Sequence, residues 1–160
     1  MTEENKQAKA DDAPNFGIVR VYLKDVSFET PNSPDVFRQD FKPDVNLQLN
    51  SSVNNLGGDL YEVVLSVTVT SKQKDKTAFL VEVQQAGIFE LKGYDESQKS
   101  AMLGAYCPNT LYPFAREVVA DLVTKGSFPQ LLLSPINFDA LYAQKLQQSK
   151  AQATPDTAAH

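Results

Sequence analysis

Residues 61–91, YEVVLSVTVTSKQKDKTAFLVEVQQAGIFEL, decide the fold. From Tyr61 to Ser71 the apolar residues Val63, Leu65, Val67 and Val69 fall at every second position. From Thr77 to Leu91 the pattern sets Phe79, Val81 and Val83 on one side, against Leu80 and Glu82 on the other. A period of two is the signature of a strand, because successive side chains point to opposite faces. The polar KQKDK between the two runs reads as a turn, so they pair as an antiparallel hairpin with one apolar face.

Toward the N-terminus, LGGD at 56–59 supplies a glycine turn, and Val45, Leu47 and Leu49 alternate with Asn46 and Gln48. That gives another strand. Before it, TPNSPDVFRQDFKPD (30–44) carries prolines at 31, 34 and 43, which forbid regular pairing, and two aromatics, Phe37 and Phe41, that need cover. It is a long connection expected to pack on something. Ile18–Glu29 (IVRVYLKDVSFE) is rich in β-branched and aromatic residues, with Val26 and Phe28 on one face and Asp25, Ser27 and Glu29 on the other, wet one.

Toward the C-terminus the period changes. Asp95–Cys107 has helical composition. The run NTLYPFAREVVADLVTKG (109–126) offers Asn109 as N-cap, Pro113 in the first turn, Leu111, Phe114, Val118 and Leu122 at helical spacing, and Gly126 as a stop. SFPQLLLSPIN is an extended linker, and Asn137 caps a last helix with Phe138, Leu141, Tyr142 and Leu146 on its apolar side. Four strands followed by helices predict an α+β domain, a four-stranded antiparallel sheet with the helices on one face. Residues 1–15, charged and without an aromatic, and 149–160, where Pro155 stops a helix, are expected as disordered tails around a domain at 16–148. The strands present more apolar area than two short helices can hide, which calls for oligomerisation or a binding groove.

The chemistry is notable for what is missing. Fifteen Lys and Arg against twenty Asp and Glu leave a net charge of −5, which repels a phosphate backbone and argues against nucleic acid. One cysteine, Cys107, and one histidine, His160, provide neither a disulfide nor a zinc site nor a His-activated nucleophile. Cys107 reads as a small buried hydrophobe. Gly57-Gly58 lacks the Lys that a phosphate loop needs, and Asp25 and Glu29, about 13 Å apart along a strand, are too distant to share one ion. No enzyme activity, cofactor or metal is expected. The polar N-terminus has no apolar segment, and no apolar run is long enough to insert in a membrane, so a cytoplasmic protein is expected.

Several stretches, YLKDVSFETPNSPDVF, YEVVLSVTVTS, AFLVEVQQAGIF, LGAYCPNTLYPFARE and GSFPQLLLSPINFDALY, resemble in order and spacing the signature segments of the SecB protein-export chaperones. The resemblance implies a homotetramer, a dimer of dimers with helices sandwiched between sheets. It implies an ATP-independent cytoplasmic chaperone that binds unfolded preproteins and delivers them to the SecA motor ATPase. By the family pattern, the basic, zinc-bearing C-terminal tail of SecA docks on Asp25, Glu29, Leu80 and Glu82, the zinc belonging to the partner. The client groove falls on Phe41, Val45, Leu47, Leu49 and Tyr112, and Phe79, Val81, Val83 and Gln85 lie on the helix-facing strand near the tetramer contacts. The alternative within the same fold is a SecB-like chaperone dedicated to a toxin-antitoxin system.

Overall fold

The structure, a computed structural model, describes residues 13–153. Strands β1 (Asn15–Glu29), β2 (Asp44–Gly57), β3 (Leu60–Gln73) and β4 (Lys76–Lys92) form one antiparallel sheet in the order β1-β4-β3-β2. Helices α1 (Glu96–Ala101), α2 (Cys107–Lys125) and α3 (Phe138–Gln152) follow, α2 packing across β3 and β4. The α+β class is as the sequence predicts. Regular structure begins at Asn15 and runs to Gln152, so it reaches into both segments expected as tails; residues 1–12 and 154–160 lie outside the described residues.

The central hairpin sets Val67 opposite Val83, Val69 opposite Val81 and Leu65 opposite Gln85, all buried on the helix side. Its tip is two residues, Lys74 (φ 50°) and Asp75 (φ 65°), in the left-handed conformations that match the twist of the flanking strands. Between β2 and β3 the same need falls on Gly57 (φ 112°) and Gly58 (φ 59°), where a side chain would be strained. β2 is longer than the alternation of 45–49 suggests. SSVNN is a poor strand former, yet Ser51 and Val53 pair with Leu65 and Val63, so ladder formation with a strong neighbour overrides local propensity.

The helical half departs from expectation at its start. Asn109 is not a cap. The helix begins upstream, where Asp95 accepts from the Gln98 amide at 2.8 Å while the Gln98 side chain accepts from the Asp95 amide at 3.1 Å, a reciprocal cap. It then widens into a π-helical turn, Met102–Tyr106, in which the Cys107 amide donates to the Met102 carbonyl. The wide turn carries the chain past Pro108, which has no N–H to give. Pro113, expected in the first turn, therefore sits inside α2, on an exposed face where solvent can serve the carbonyl it leaves free.

The buried stripe of α2 is Leu111, Ala115, Val119 and Val123 rather than the expected Leu111, Phe114, Val118 and Leu122; Phe114 is half exposed, and Val118 and Leu122 are only partly covered. The small Ala115 permits close approach to the sheet, as does Gly87, where a Cβ would meet Leu111 at 3.1 Å and the Phe89 ring at 2.8 Å. Gly126 ends α2, its amide donating to the Leu122 carbonyl at 2.9 Å, and Asn137 caps α3 by accepting from the Ala140 amide at 3.0 Å, both as expected.

Candidate functional site

Period-two alternation gives the sheet two unlike faces. One lies under α2. The other carries no helix among the described residues and presents the polar residues of all four strands, among them the expected docking set. Glu29 sits directly across from Leu80, Ser27 from Glu82 and Asp25 from Gln84; on the far side of β4, Leu80 faces Thr70 and Glu82 faces Thr68. Asp25, Glu29 and Glu82 are exposed and Leu80 is half-buried, and the Ser27 hydroxyl lies 3.5 Å from the Glu82 carboxylate. The four residues thus occupy adjacent rows of one face, carboxylates around a single aliphatic side chain. Such a surface attracts a cationic segment and offers it one apolar anchor.

Beside this patch stands a charged cluster that the pattern of the sequence does not announce. The Lys24 ammonium lies 2.9 and 3.1 Å from the two oxygens of Glu62 on β3, and the Tyr22 hydroxyl donates to the same carboxylate. The Tyr22 bond first, and then Lys24, hold the Glu62 carboxyl below its usual range, while burial and the adjacent carboxylate push Tyr22 up to about 12. Only the spacing of Tyr22 and Lys24 on one strand hinted at it; the partner is 38 residues away from Lys24.

The residues expected to line a client groove are brought together only in part. Val45, Leu47 and Leu49 share the helix-side face of β2, opposite Ser71, Val69 and Val67, with Val45 exposed and the other two half-buried. β2 is an edge strand, so its outer backbone groups have no partner strand among the described residues. Phe41 lies against Phe128 (ring centroids 5.4 Å), which also receives Phe37 (5.2 Å) and Phe79 (4.9 Å). The proline-rich connection therefore does pack on the domain, through an aromatic cluster. Tyr112 is different: 4% exposed, it stacks edge-on with Phe138 and donates its hydroxyl to the Ser134 carbonyl at 2.6 Å. It tethers the linker between α2 and α3 and does not line an open surface.

A cavity of about 430 Å³ opens between β2 and α3, bounded by Leu49, Val53, Leu65, Phe138, Leu141 and Tyr142. Of the expected groove residues it includes Leu49 alone. Leu141 was expected on the apolar side of the last helix, but its juxtaposition with Val53 depends on a β2 that runs past residue 49. Phe79, Val81, Val83 and Gln85 are all buried on the helix-facing side of β4. Cys107 is fully buried, and burial pushes its thiol up to about 12, so it serves as a packing group. No helix among the described residues is long and apolar enough to cross a membrane.

Residues 9–149 match the family model described as Preprotein translocase subunit SecB. The chain is 57% identical over 152 residues to the protein-export protein SecB of Nitrosococcus oceani, covering 94% of this chain and 89% of that one. It is 54% identical over 157 residues to the protein of the same name from Methylococcus capsulatus, covering 98% and 99%. Among solved structures it resembles a SecB-like chaperone of Mycobacterium tuberculosis in complex with a ChAD peptide from an antitoxin, with a TM-score of 0.57 at 19% identity over 76% of this chain and 87% of that one. At that identity the likeness is one of fold.

Proposed function

Because this chain belongs to the SecB family and is a protein-export chaperone, we propose that it delivers unfolded preproteins by docking the SecA C-terminal tail on the acidic outward face of its sheet. The observation that carries the reading is the row of Glu29 across from Leu80 beside that of Ser27 across from Glu82, with Asp25 next to them. A basic, zinc-bearing tail would be drawn by the three carboxylates and anchored on Leu80.

Clients would lie on the other side. Phe41, Val45, Leu47 and Leu49, extended by the cavity that Val53 and Leu141 border, form a discontinuous apolar surface along a sheet edge that no other described strand pairs. Apolar contact plus main-chain hydrogen bonding accepts many extended sequences without reading one. Tyr112 contributes by fixing the linker. The working form would be a homotetramer in the cytoplasm, with Phe79, Val81, Val83 and Gln85 near its contacts. In support, Ile18, Val19 and Leu23 on edge strand β1 and Phe114 on α2 are about half exposed, apolar area that a second copy would cover.

The test follows aggregation of a denatured precursor by light scattering, without nucleotide and with albumin as control. Suppression near one tetramer per client supports holding, and no suppression beyond albumin rejects it. Asp25→Lys and Glu82→Lys should leave holding intact and abolish SecA binding at low salt; unchanged binding would show the dock to be elsewhere.

A further inference from the structure

From Leu23 to Asp25, β1 contains one residue more than β4 opposite it, a bulge centred on Lys24. Tyr22, opposite Ala86, points outward; under strict alternation Lys24 and Val26 would follow it, and Asp25, Ser27 and Glu29 would turn toward the helices. The inserted residue reverses that. It is what turns Asp25 and Glu29 outward, and it thereby sets Asp25 beside a lysine on the same face. An ammonium on a four-carbon stem has the reach to neutralise its neighbours. Here it does not, because both oxygens of Glu62 hold it, at 2.9 and 3.1 Å, and Tyr22 fixes Glu62 in turn. The pair is well placed to persist: the Glu62 side chain is only 14% exposed, against 43% for Lys24. Among the described residues, none of the ion pairs involves Asp25, Glu29 or Glu82.

We infer that Glu62 is a positioning residue for the acidic dock: it captures the Lys24 ammonium, so that an incoming cationic segment meets Asp25, Glu29 and Glu82 without Lys24 competing for them. The inference rests on the docking reading above. Without Glu62, Lys24 swings to Asp25 and Glu82 and competes with the partner for the same oxygens. Tyr22 acts one step further back, by orienting the Glu62 carboxylate.

The test measures binding of a zinc-loaded peptide of the SecA C-terminal tail to the full chain by fluorescence anisotropy at low ionic strength. Glu62→Gln, whose amide oxygen can still accept from Tyr22, should weaken binding roughly three- to tenfold. The decisive comparison is coupling. In a Lys24→Met background the same substitution should change affinity by less than about twofold, whereas in an Arg20→Gln background, with a different cation removed from the same face, its effect should persist. An equal, additive effect in both backgrounds would mean that only overall charge matters, and the assignment fails. Lys24→Met weakening binding as much as Glu62→Gln would mean that the ion pair merely pins the bulge, and the assignment fails again. Glu82→Lys separates this from the premise. If it leaves affinity unchanged the docking reading itself is wrong; if it abolishes binding while Glu62→Gln does nothing, the docking reading stands and the role of Glu62 is withdrawn.

Discussion

Tyr142 of α3 rests against the backbone of Gly104 in the π-helical turn, so closely that a Cβ on Gly104 would meet the Tyr142 ring at 2.6 Å. Beyond Phe138, little else of α3 is covered: Leu141 and Leu146 are 42% and 43% exposed. The seating of this helix, and with it one wall of the cavity over β2, depends on a missing side chain. Gly104→Ala should therefore cost about 1–3 kcal/mol by overpacking, even though alanine is the better helix former. Urea denaturation gives the stability, and hydrogen exchange should show faster opening in α3 than in β3. Replacing Tyr142 with Leu in the same chain should recover part of the loss. No recovery would place the clash elsewhere.

The two kinds of side chain in the acidic patch should respond differently to salt. An exposed charge such as Glu29 acts through a field that is screened once the Debye length falls to about 6 Å, near 0.3 M. Leu80, half-buried among its neighbours, would act on a docked segment by contact. Glu29→Gln should thus weaken binding of the SecA tail at about 0.03 M salt and make little difference at about 0.3 M, while Leu80→Ala should weaken it at both. Titrations at the two ionic strengths decide the matter, and a salt-independent Glu29 effect would point to a specific hydrogen bond.

Cys107 permits a prediction about pH. Its thiol is pushed from 9.0 to about 12 by burial, so the folded protein keeps a proton that the unfolded chain loses. This contribution is fully present below pH 9 and is lost as the pH rises from there toward 12, because the unfolded state then binds fewer protons than the folded one. Tyr22, raised to about 12 as well, adds to the upper part of that window. Cys107→Ala should make the alkaline fall in stability shallower without removing it. In the unmodified protein, a thiol reagent at pH 8 should react at the rate of opening and at full speed only in denaturant; rapid reaction without denaturant would contradict the burial.

How much of this was legible beforehand depended on whether the controlling interaction is local. The hairpin, the glycine turn, the Gly126 stop and the Asn137 cap follow from residues within a few positions of one another, and so does the segregation of Asp25, Ser27 and Glu29 from Val26 and Phe28. The missed features are non-local. Nothing in SSVNN marks it as strand except the β3 it pairs with. Asn109 followed by a helical pattern looks like a start, and only a π turn upstream, stabilised by packing against Tyr142, lets the helix run through Pro108. The Lys24 bulge is visible only against the register of β4. Tyr112, an aromatic on a helix near the expected groove, could be exposed or buried by pattern alone; its bond to Ser134 settles that it is buried.

Gln73 illustrates the same point and supports a last prediction. In sequence it belongs to a polar stretch leading into a turn, yet it is 6% exposed and faces the long connection. Its amide donates to the Asp40 carbonyl at 2.7 Å and its oxygen accepts from the Lys42 amide at 3.0 Å, so one side chain grips the backbone on both sides of Phe41. The Phe41 ring is thereby held against Phe128, at the start of the proposed client surface. Gln73→Leu, similar in volume, leaves both backbone groups unpaired and should cost about 1–3 kcal/mol in all, since solvent reaches Asp40 and Lys42. Gln73→Glu retains the acceptor for Lys42 but sets a carboxylate oxygen against the Asp40 carbonyl in a buried site, so at neutral pH it should cost at least as much stability while still engaging the Lys42 amide. The amide of Lys42 reports directly: its exchange should accelerate in the leucine variant and much less in the glutamate one. If the connection guides clients onto β2, suppression of aggregation should weaken in the same order. Faster exchange at Lys42 with undiminished suppression would separate the two, leaving Gln73 as a clamp on the connection that client binding does not need.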